Sequence, residues 1–256
     1  IDGVLFNVDK TELIFYPRAK EGSYTTPTGV ATIKTSAFEG AKGLTEINIS
    51  GEVTLIEENA FKSCTALETI NFLGQADDLP LTINSSAFYG CTLVTSLVLP
   101  YNLQSMKINA FGGCTKLVTV TVKAVTATPD FEARAFANTT TSASTTPTYY
   151  VTTLNLSKDV AEFDITSVFG ATKLATVNVE EGNTSYATLD GVLYNSDITR
   201  VVYYPTEREG NYNLPESIVE IGARVFQGKT GIESIVIGKN VTTIGEGAFQ
   251  ACTKLD

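Results

Sequence analysis

Apolar residues return along this chain in a fixed order. The pair Ala-Phe occurs at Ala37-Phe38, Ala60-Phe61, Ala87-Phe88, Ala110-Phe111, Ala135-Phe136 and Ala248-Phe249, with Val168-Phe169 and Val225-Phe226 as variants. Phe38 to Phe61, Phe88 to Phe111 and Phe226 to Phe249 are each 23 residues apart. Shortly after most of these corners comes a triplet of apolar residues at positions one, four and six. The triplets are Leu44, Ile47, Ile49; Leu67, Ile70, Phe72; Val94, Leu97, Leu99; Leu117, Val120, Val122; Leu174, Val177, Val179; and Ile232, Ile235, Ile237. Val151, Leu154 and Leu156 fit after a longer loop. Alternation at the fourth and sixth positions predicts a short strand with one buried face. A second apolar landmark precedes the Ala-Phe pair: Val30 and Ile33, Val53 and Ile56, Ile218 and Ile221, Val241 and Ile244.

A period of about 23 residues is the signature of a solenoid. Each coil has a strand side, a returning apolar side and an Ala-Phe corner. One coil cannot bury these faces alone, but coils stacked at the ~4.8 Å strand spacing share one core. Phe should then form a spine along the stack, and Ala should sit where the backbone turns too tightly for a larger side chain.

A larger duplication overlies the period. Residues 1–68 align without a gap onto 189–256, with roughly two positions in five identical, more than general repeat similarity gives. Asp2-Gly3-Val4-Leu5-Phe6 matches Asp190-Gly191-Val192-Leu193-Tyr194, and Phe15-Tyr16-Pro17 matches Tyr203-Tyr204-Pro205. Two β-rich runs joined by Asn7 to Thr11, or by Asn195 to Thr199, predict a hairpin in each copy. The hairpin units, about 1–27 and 189–215, are expected inside the stack, each lengthening one coil.

These landmarks resemble the BspA-like class of leucine-rich repeats. The resemblance implies a β-rich solenoid, a right-handed leucine-rich-repeat superhelix with two inserted hairpins, spanning 1–256 as one domain. It also implies a bacterial surface or secreted protein that adheres to host proteins or other cells. The pattern departs at the expansion around Asp77-Asp78-Leu79-Pro80, at the polar stretch Asn138 to Thr148, and at the degraded corner Val168-Phe169.

Composition narrows the chemistry. A net charge of -10 disfavours nucleic acid and anionic membrane surfaces as partners. No apolar run reaches the roughly 20 residues of a membrane span, so no membrane insertion by this segment is expected. The absence of His removes the commonest general base and the commonest zinc ligand, so neither an enzyme nor a metal or other cofactor is expected. Cys64, Cys91, Cys114 and Cys252 each stand three residues after a repeat Phe. They are expected to be packed thiols in equivalent corners, a Cys64-Cys91 or Cys91-Cys114 disulfide being the alternative. The acid pairs Glu57-Glu58, Asp77-Asp78 and Glu180-Glu181 read as solvated charge, with calcium at Asp77-Asp78 the less favoured option.

Between the buried strand positions lie Glu46 and Asn48, Thr69 and Asn71, Ser96 and Val98, Thr119 and Thr121, Thr153 and Asn155, Thr176 and Asn178, and Ser234 and Val236. They form two nearly uncharged columns. Asn48, Thr69, Asn71, Thr119, Thr121, Thr153, Asn155, Thr176 and Asn178 are therefore the candidate ligand-binding strip, facing an extracellular protein or glycan. The β-propensity of Thr and Val accounts for the same pattern without a ligand. Tyr194, Tyr203, Tyr204 and Tyr212 in the second hairpin unit are candidate aromatic contacts, with packing of the hairpin as the other explanation. The expected function is adhesion or ligand binding at a cell surface, and the rival is a passive spacer. The front and the close of the chain cut across the repeat pattern, Cys252 to Asp256 matching a segment that runs on into a strand in the first copy. The chain is accordingly expected to be part of a longer protein.

Overall fold

The computed structural model describes residues 2–74, 79–123, 130–132, 134–137, 150–161, 163, 165, 174–206 and 208–256. Its strands are as follows. The chain opens with β1 (Leu5–Phe6) and β2 (Glu12–Phe15), paired antiparallel. It then passes back and forth between two sides through β3 (Gly22–Thr25), β4 (Thr32–Ile33), β5 (Leu44–Ile49), β6 (Leu55–Ile56), β7 (Thr69–Phe72) and β8 (Leu81–Ile83). The same alternation continues with β9 (Ser96–Leu99), β10 (Leu103–Met106), β11 (Thr119–Val122) and β12 (Asp130–Phe131). After β13 (Thr153–Leu156) and β14 (Thr176–Val179) comes an antiparallel meander of β15 (Tyr186–Leu189), β16 (Val192–Asn195) and β17 (Arg200–Tyr203). Last are β18 (Gly210–Asn213), β19 (Glu220–Ile221), β20 (Ile232–Val236) and β21 (Thr243–Ile244).

One side of the solenoid carries the sheets β3-β5-β7, β9-β11-β13-β14 and β18-β20, and the other carries β1-β2-β4-β6-β8-β10-β12 and β15-β16-β17-β19-β21. Apart from β1 and the meander, the pairing is parallel and follows the repeat, as in Ile47 opposite Ile70 and Leu97 opposite Val120. Each apolar landmark thus stacks on its counterpart in the next coil, which is why the spacing is held so closely.

The Ala-Phe corner forms a third ladder. The Phe N–H donates to the Ala carbonyl one coil on: Phe38 to Ala60 at 2.7 Å, Phe61 to Ala87 at 2.6 Å, Phe88 to Ala110 at 2.7 Å and Phe226 to Ala248 at 2.9 Å. The residue before the pair turns the chain through a left-handed conformation, with φ of 58° at Ser36, 59° at Asn59, 57° at Ser86, 56° at Asn109 and 58° at Arg224. Asn and Ser tolerate this geometry better than a bulky side chain does. The phenyl rings stack behind the corner, with centroids 4.5 Å apart for Phe38–Phe61, 4.7 Å for Phe61–Phe88 and 4.9 Å for Phe88–Phe111. Tyr16 and Tyr204 take the Phe position at the head of each run, 4.6 Å from Phe38 and 5.0 Å from Phe226.

The cysteines continue this corner. All four are free thiols, each donating to the carbonyl of the Phe one coil earlier, from Cys64 to Phe38 at 3.1 Å through Cys252 to Phe226 at 2.9 Å. Burial pushes the Cys91 thiol pKa up, and the neighbouring Cys114 and Cys64 thiols reinforce the shift. Cys64, Cys91 and Cys114 are buried as expected, but Cys252 is only half-buried. Val168-Phe169, the stretch Asn138 to Thr148 and the Asp77-Asp78 pair lie outside the described residues.

The duplicated hairpins differ from loops set into a coil. β2 pairs parallel with β4, and β17 with β19, so each is a regular strand of the stack as well as a hairpin arm. The meander also divides the core. Leu193 and Tyr203 pack with the coils before it, while Val192, Tyr194, Val201 and Tyr204 pack with those after it. Val192, Leu193 and Tyr194 are all fully buried, the mark of a sheet covered on both faces.

Candidate functional site

The two polar columns are in register. Thr119 lies opposite Ser96 and Thr153, and Thr153 opposite Thr176; Thr121 lies opposite Val98 and Asn155, and Asn155 opposite Asn178. In the first block Glu46 faces Thr69 and Asn48 faces Asn71. Thr69, Ser96, Thr176 and Asn178 are exposed, whereas Asn48, Asn71, Thr119, Thr121, Thr153 and Asn155 are half-buried by their neighbours.

The second column is cross-linked along the stack. Asn71 Nδ2 donates to Asn48 Oδ1 at 2.9 Å, and Asn48 Nδ2 to Glu46 Oε1 at 2.8 Å. Asn178 Nδ2 donates to Asn155 Oδ1 at 2.9 Å, and Asn155 Nδ2 to Thr121 Oγ1 at 3.2 Å. These amides spend part of their hydrogen-bonding capacity on each other, which stabilises the stack and leaves fewer groups for a partner. The first column carries no comparable chain over Thr119, Thr153 and Thr176 and is the more available of the two.

The columns are interrupted once within the main stack. β7 and β9 belong to consecutive coils yet fall in different sheets. The coil between them is longer, Phe61 to Phe88 spanning 27 residues instead of 23. A groove of about 450 Å³ opens there, lined by Glu68, Thr69, Asn71, Ser96, Val98 and Lys116 among others. Thr69 and Asn71 were expected to face a ligand, while Glu68 and Lys116 were not singled out. Glu68 adjoins Thr69 in the chain, and that adjacency is the signal that could have found it. The groove offers hydroxyls, an amide, one carboxylate, one amine and the exposed side chain of Val98, a mixture suited to holding a polar chain.

The acids elsewhere have structural work. Glu57 accepts from Lys34 Nζ at 2.6 Å and from the Thr35 N–H and Oγ1 at 2.8 Å each. Burial works to raise its pKa, and those hydrogen bonds outweigh it, so the carboxyl is held below its ordinary value. Glu52 accepts the Gly29 N–H, Glu132 the Ile108 N–H at 2.9 Å and Glu180 the Lys158 N–H at 3.0 Å. A carboxylate of one coil thus caps a loop amide of the coil before it. Among the described residues no three acids or cysteines converge on a point that could hold a metal ion.

The tyrosines require a correction. Tyr194, Tyr203, Tyr204 and Tyr212, the candidate aromatic contacts, are all buried. The meander lies between two halves of the core, so side chains on both of its faces are covered. The Tyr194 and Tyr212 hydroxyls hydrogen-bond to each other, and Tyr203 Oη donates to the Leu174 carbonyl at 3.1 Å. Burial pushes the Tyr203 pKa up to about 12 and raises those of Tyr194, Tyr204 and Tyr212 as well. Arg208 lies over the Tyr212 ring at 4.8 Å, as Lys20 lies over Tyr24 at 5.7 Å in the first copy. No ring here presents a free face to a partner.

The sequence matches the family described as BspA type leucine rich repeat region, in six copies, over residues 14–143, 81–207 and 196–256. No curated protein matches it. Among solved structures, the pneumococcal vaccine antigen PcpA superposes with a TM-score of 0.62 at 22% identity, over 97% of this chain and 62% of that one. A leucine rich cell surface protein from Faecalibacterium prausnitzii A2-165 superposes with a TM-score of 0.53 at 23% identity, over 99% of this chain and 73% of that one. The chain therefore spans less than two thirds of the antigen's length. At these identities the likeness is one of fold.

Proposed function

Since this chain belongs to the BspA-type leucine-rich-repeat family, we propose that it is a cell-surface or secreted binding module, not an enzyme, that recognises an extracellular protein or glycan along its polar columns. The observation that carries this reading is the groove between β7 and β9, where the columns are interrupted and exposed Thr69, Ser96 and Val98 adjoin Glu68 and Lys116. A nearly neutral strip of short polar side chains pays little desolvation cost and can hydrogen-bond to an extended chain. The cell-surface neighbour in fold and the vaccine antigen support the location.

The test is an array of extracellular matrix proteins and glycans probed with the intact chain, then with a variant carrying Thr69→Lys, Ser96→Lys and Thr176→Lys. These positions are exposed, so unfolding should change by no more than ~0.5 kcal/mol per site. Binding should fall at least tenfold, because three charges along one strip disrupt a neutral interface. Undiminished binding would move the site off the columns. The spacer reading draws on the Asn48–Asn71 and Asn155–Asn178 bonds, which make part of the strip self-contained. It predicts no saturable ligand at all.

A further inference from the structure

Two charges of opposite sign border the groove between β7 and β9, Glu68 on one side and Lys116 on the other, and both side chains are exposed. Several charges elsewhere are already engaged. Glu57 is bonded to Lys34 and Thr35, Lys107 pairs with Glu132 at 3.4 Å and Lys158 with Asp159 at 2.7 Å. Within the groove, by contrast, Glu68, Thr69, Thr95, Ser96 and Lys116 make no side-chain hydrogen bond or ion pair among the described residues. A ligand can therefore meet donors and acceptors of both signs without breaking an internal bond.

The charges are ordered along the stack. Glu68 directly precedes β7, and Glu46 on β5 lies opposite Thr69, so two carboxylates sit on the early-coil side of the break. Glu46 accepts from Asn48 at 2.8 Å and from Asn71 at 3.4 Å, which keeps its carboxylate beside the groove. Lys116 lies just ahead of β11 on the late-coil side, with β9 between. Two coil steps of ~4.8 Å set the opposing charges about 10 Å apart, the length of about three extended residues. Between them lie the Thr95 and Ser96 hydroxyls and the side chain of Val98, 42% exposed opposite Thr121. This order separates the two ligand classes. A neutral glycan has no group for either charge, and an acidic glycan that reaches Lys116 meets repulsion from Glu68 and Glu46. A polypeptide carries cations and carboxylates on one chain and answers both.

Resting on the reading of the polar strip as the binding face, we infer that the groove takes an extended polypeptide segment of mixed charge running along the stack, with a basic side chain on Glu68 and an acidic one, about three residues away, on Lys116. The hydroxyls of Thr69, Thr95 and Ser96 bond to its main chain, and an apolar side chain between the two charges covers Val98.

The test is an array of short peptides on a Gly, Ser, Thr and Ala background, probed with the intact chain. The peptides carry one basic and one acidic residue at varied spacing, two basic residues, two acidic residues or no charge, and neutral and acidic glycans are spotted beside them. Peptides of mixed charge at a spacing of about three should bind about tenfold more tightly than uncharged ones, an advantage that high salt removes. Glu68→Lys should move the preference to doubly acidic peptides and Lys116→Glu to doubly basic ones, and the two changes together should restore the original preference. Both positions are exposed, so thermal unfolding should stay within a degree or so of the original in every variant. Retention of no peptide, or equal binding of charged and uncharged peptides, would overturn the inference. The Thr69→Lys, Ser96→Lys, Thr176→Lys variant separates it from the wider reading. Glycans lost by that variant but indifferent to both single charge reversals would overturn the mixed-charge peptide and leave the strip in place. Ligands indifferent to every variant would overturn both.

Discussion

Leu5 and Leu193 occupy the same position of a duplicated segment, yet one is largely exposed and the other is sealed in the core. The same holds for Phe15 and Tyr203. The local sequence shapes each hairpin in the same way, through an Asp-Gly turn, an Asn-capped loop and a cation over a tyrosine pair. What differs is the coil stacked against it. In a solenoid the strand pattern decides which residues point inward, and the neighbour decides whether inward means buried.

Truncation should expose this contrast most strongly. Tyr203→Ala removes a ring packed against the preceding coils together with its bond to the Leu174 carbonyl, and should cost ~3–5 kcal/mol. Phe15→Ala should cost under ~1 kcal/mol, as substitutions at half-exposed positions do. Denaturant unfolding of the two variants checks the difference, and equal costs would mean that stacking does not set the environment.

Alkaline pH gives the next effect. Burial first, then nearby Tyr16 and Asp2, pushes the Tyr24 pKa up to about 12, and burial does the same for Tyr203. A phenol with a raised folded-state pKa leaves stability unchanged below its unfolded value near 10. Above that value the unfolded chain releases the proton first, so stability should fall as pH rises from about 10 to about 12. Tyr203→Phe should make that decline shallower without abolishing it, because Tyr24 and the other raised tyrosines remain. Denaturant titrations between pH 8 and 12 would show the slope, and an unchanged profile in the variant would contradict the assignment.

Smaller effects probe features that the two copies share. The hydroxyls of Tyr16 and Tyr204 are buried, and neither has a hydrogen-bond partner among the described residues. Tyr16→Phe and Tyr204→Phe should each stabilise by about 1 kcal/mol, since an unsatisfied buried hydroxyl is removed while the ring stays in the spine. A loss on unfolding measurements would mean that the hydroxyl is satisfied in solution. Smallest is the corner before Val225-Phe226. Arg224→Asn puts a better-suited residue at φ 58° and should gain about 0.5 kcal/mol, whereas Ser36→Asn at the equivalent corner should gain less.

The spine and the polar columns were legible because they repeat: each Ala-Phe corner marks its own place, and period-2 alternation tells which strand positions face out. The hairpin tyrosines were not. Tyr is compatible with a wet interface or a covered sheet, and only the three-dimensional order of coils reveals that the meander is enclosed on both faces. The groove was no more legible: the 27-residue step from Phe61 to Phe88 marks a longer coil, yet the still longer step from Thr119 to Thr153 leaves its strands paired, so length alone does not locate a break. The loop-capping acids were hidden for a different reason. Glu52 and Gly29 are 23 residues apart, a coupling visible only once the stack places one coil against the next.

The most direct test of the account is hydrogen–deuterium exchange of the intact chain, alone and with whichever matrix protein or glycan the array captures. The account predicts slowed exchange at residues 68–71 and 95–98, on either side of the groove, extending along the strip to β11. Slowing confined to the opposite side, over β4, β6, β8 and β10, with no change beside the groove, would contradict it.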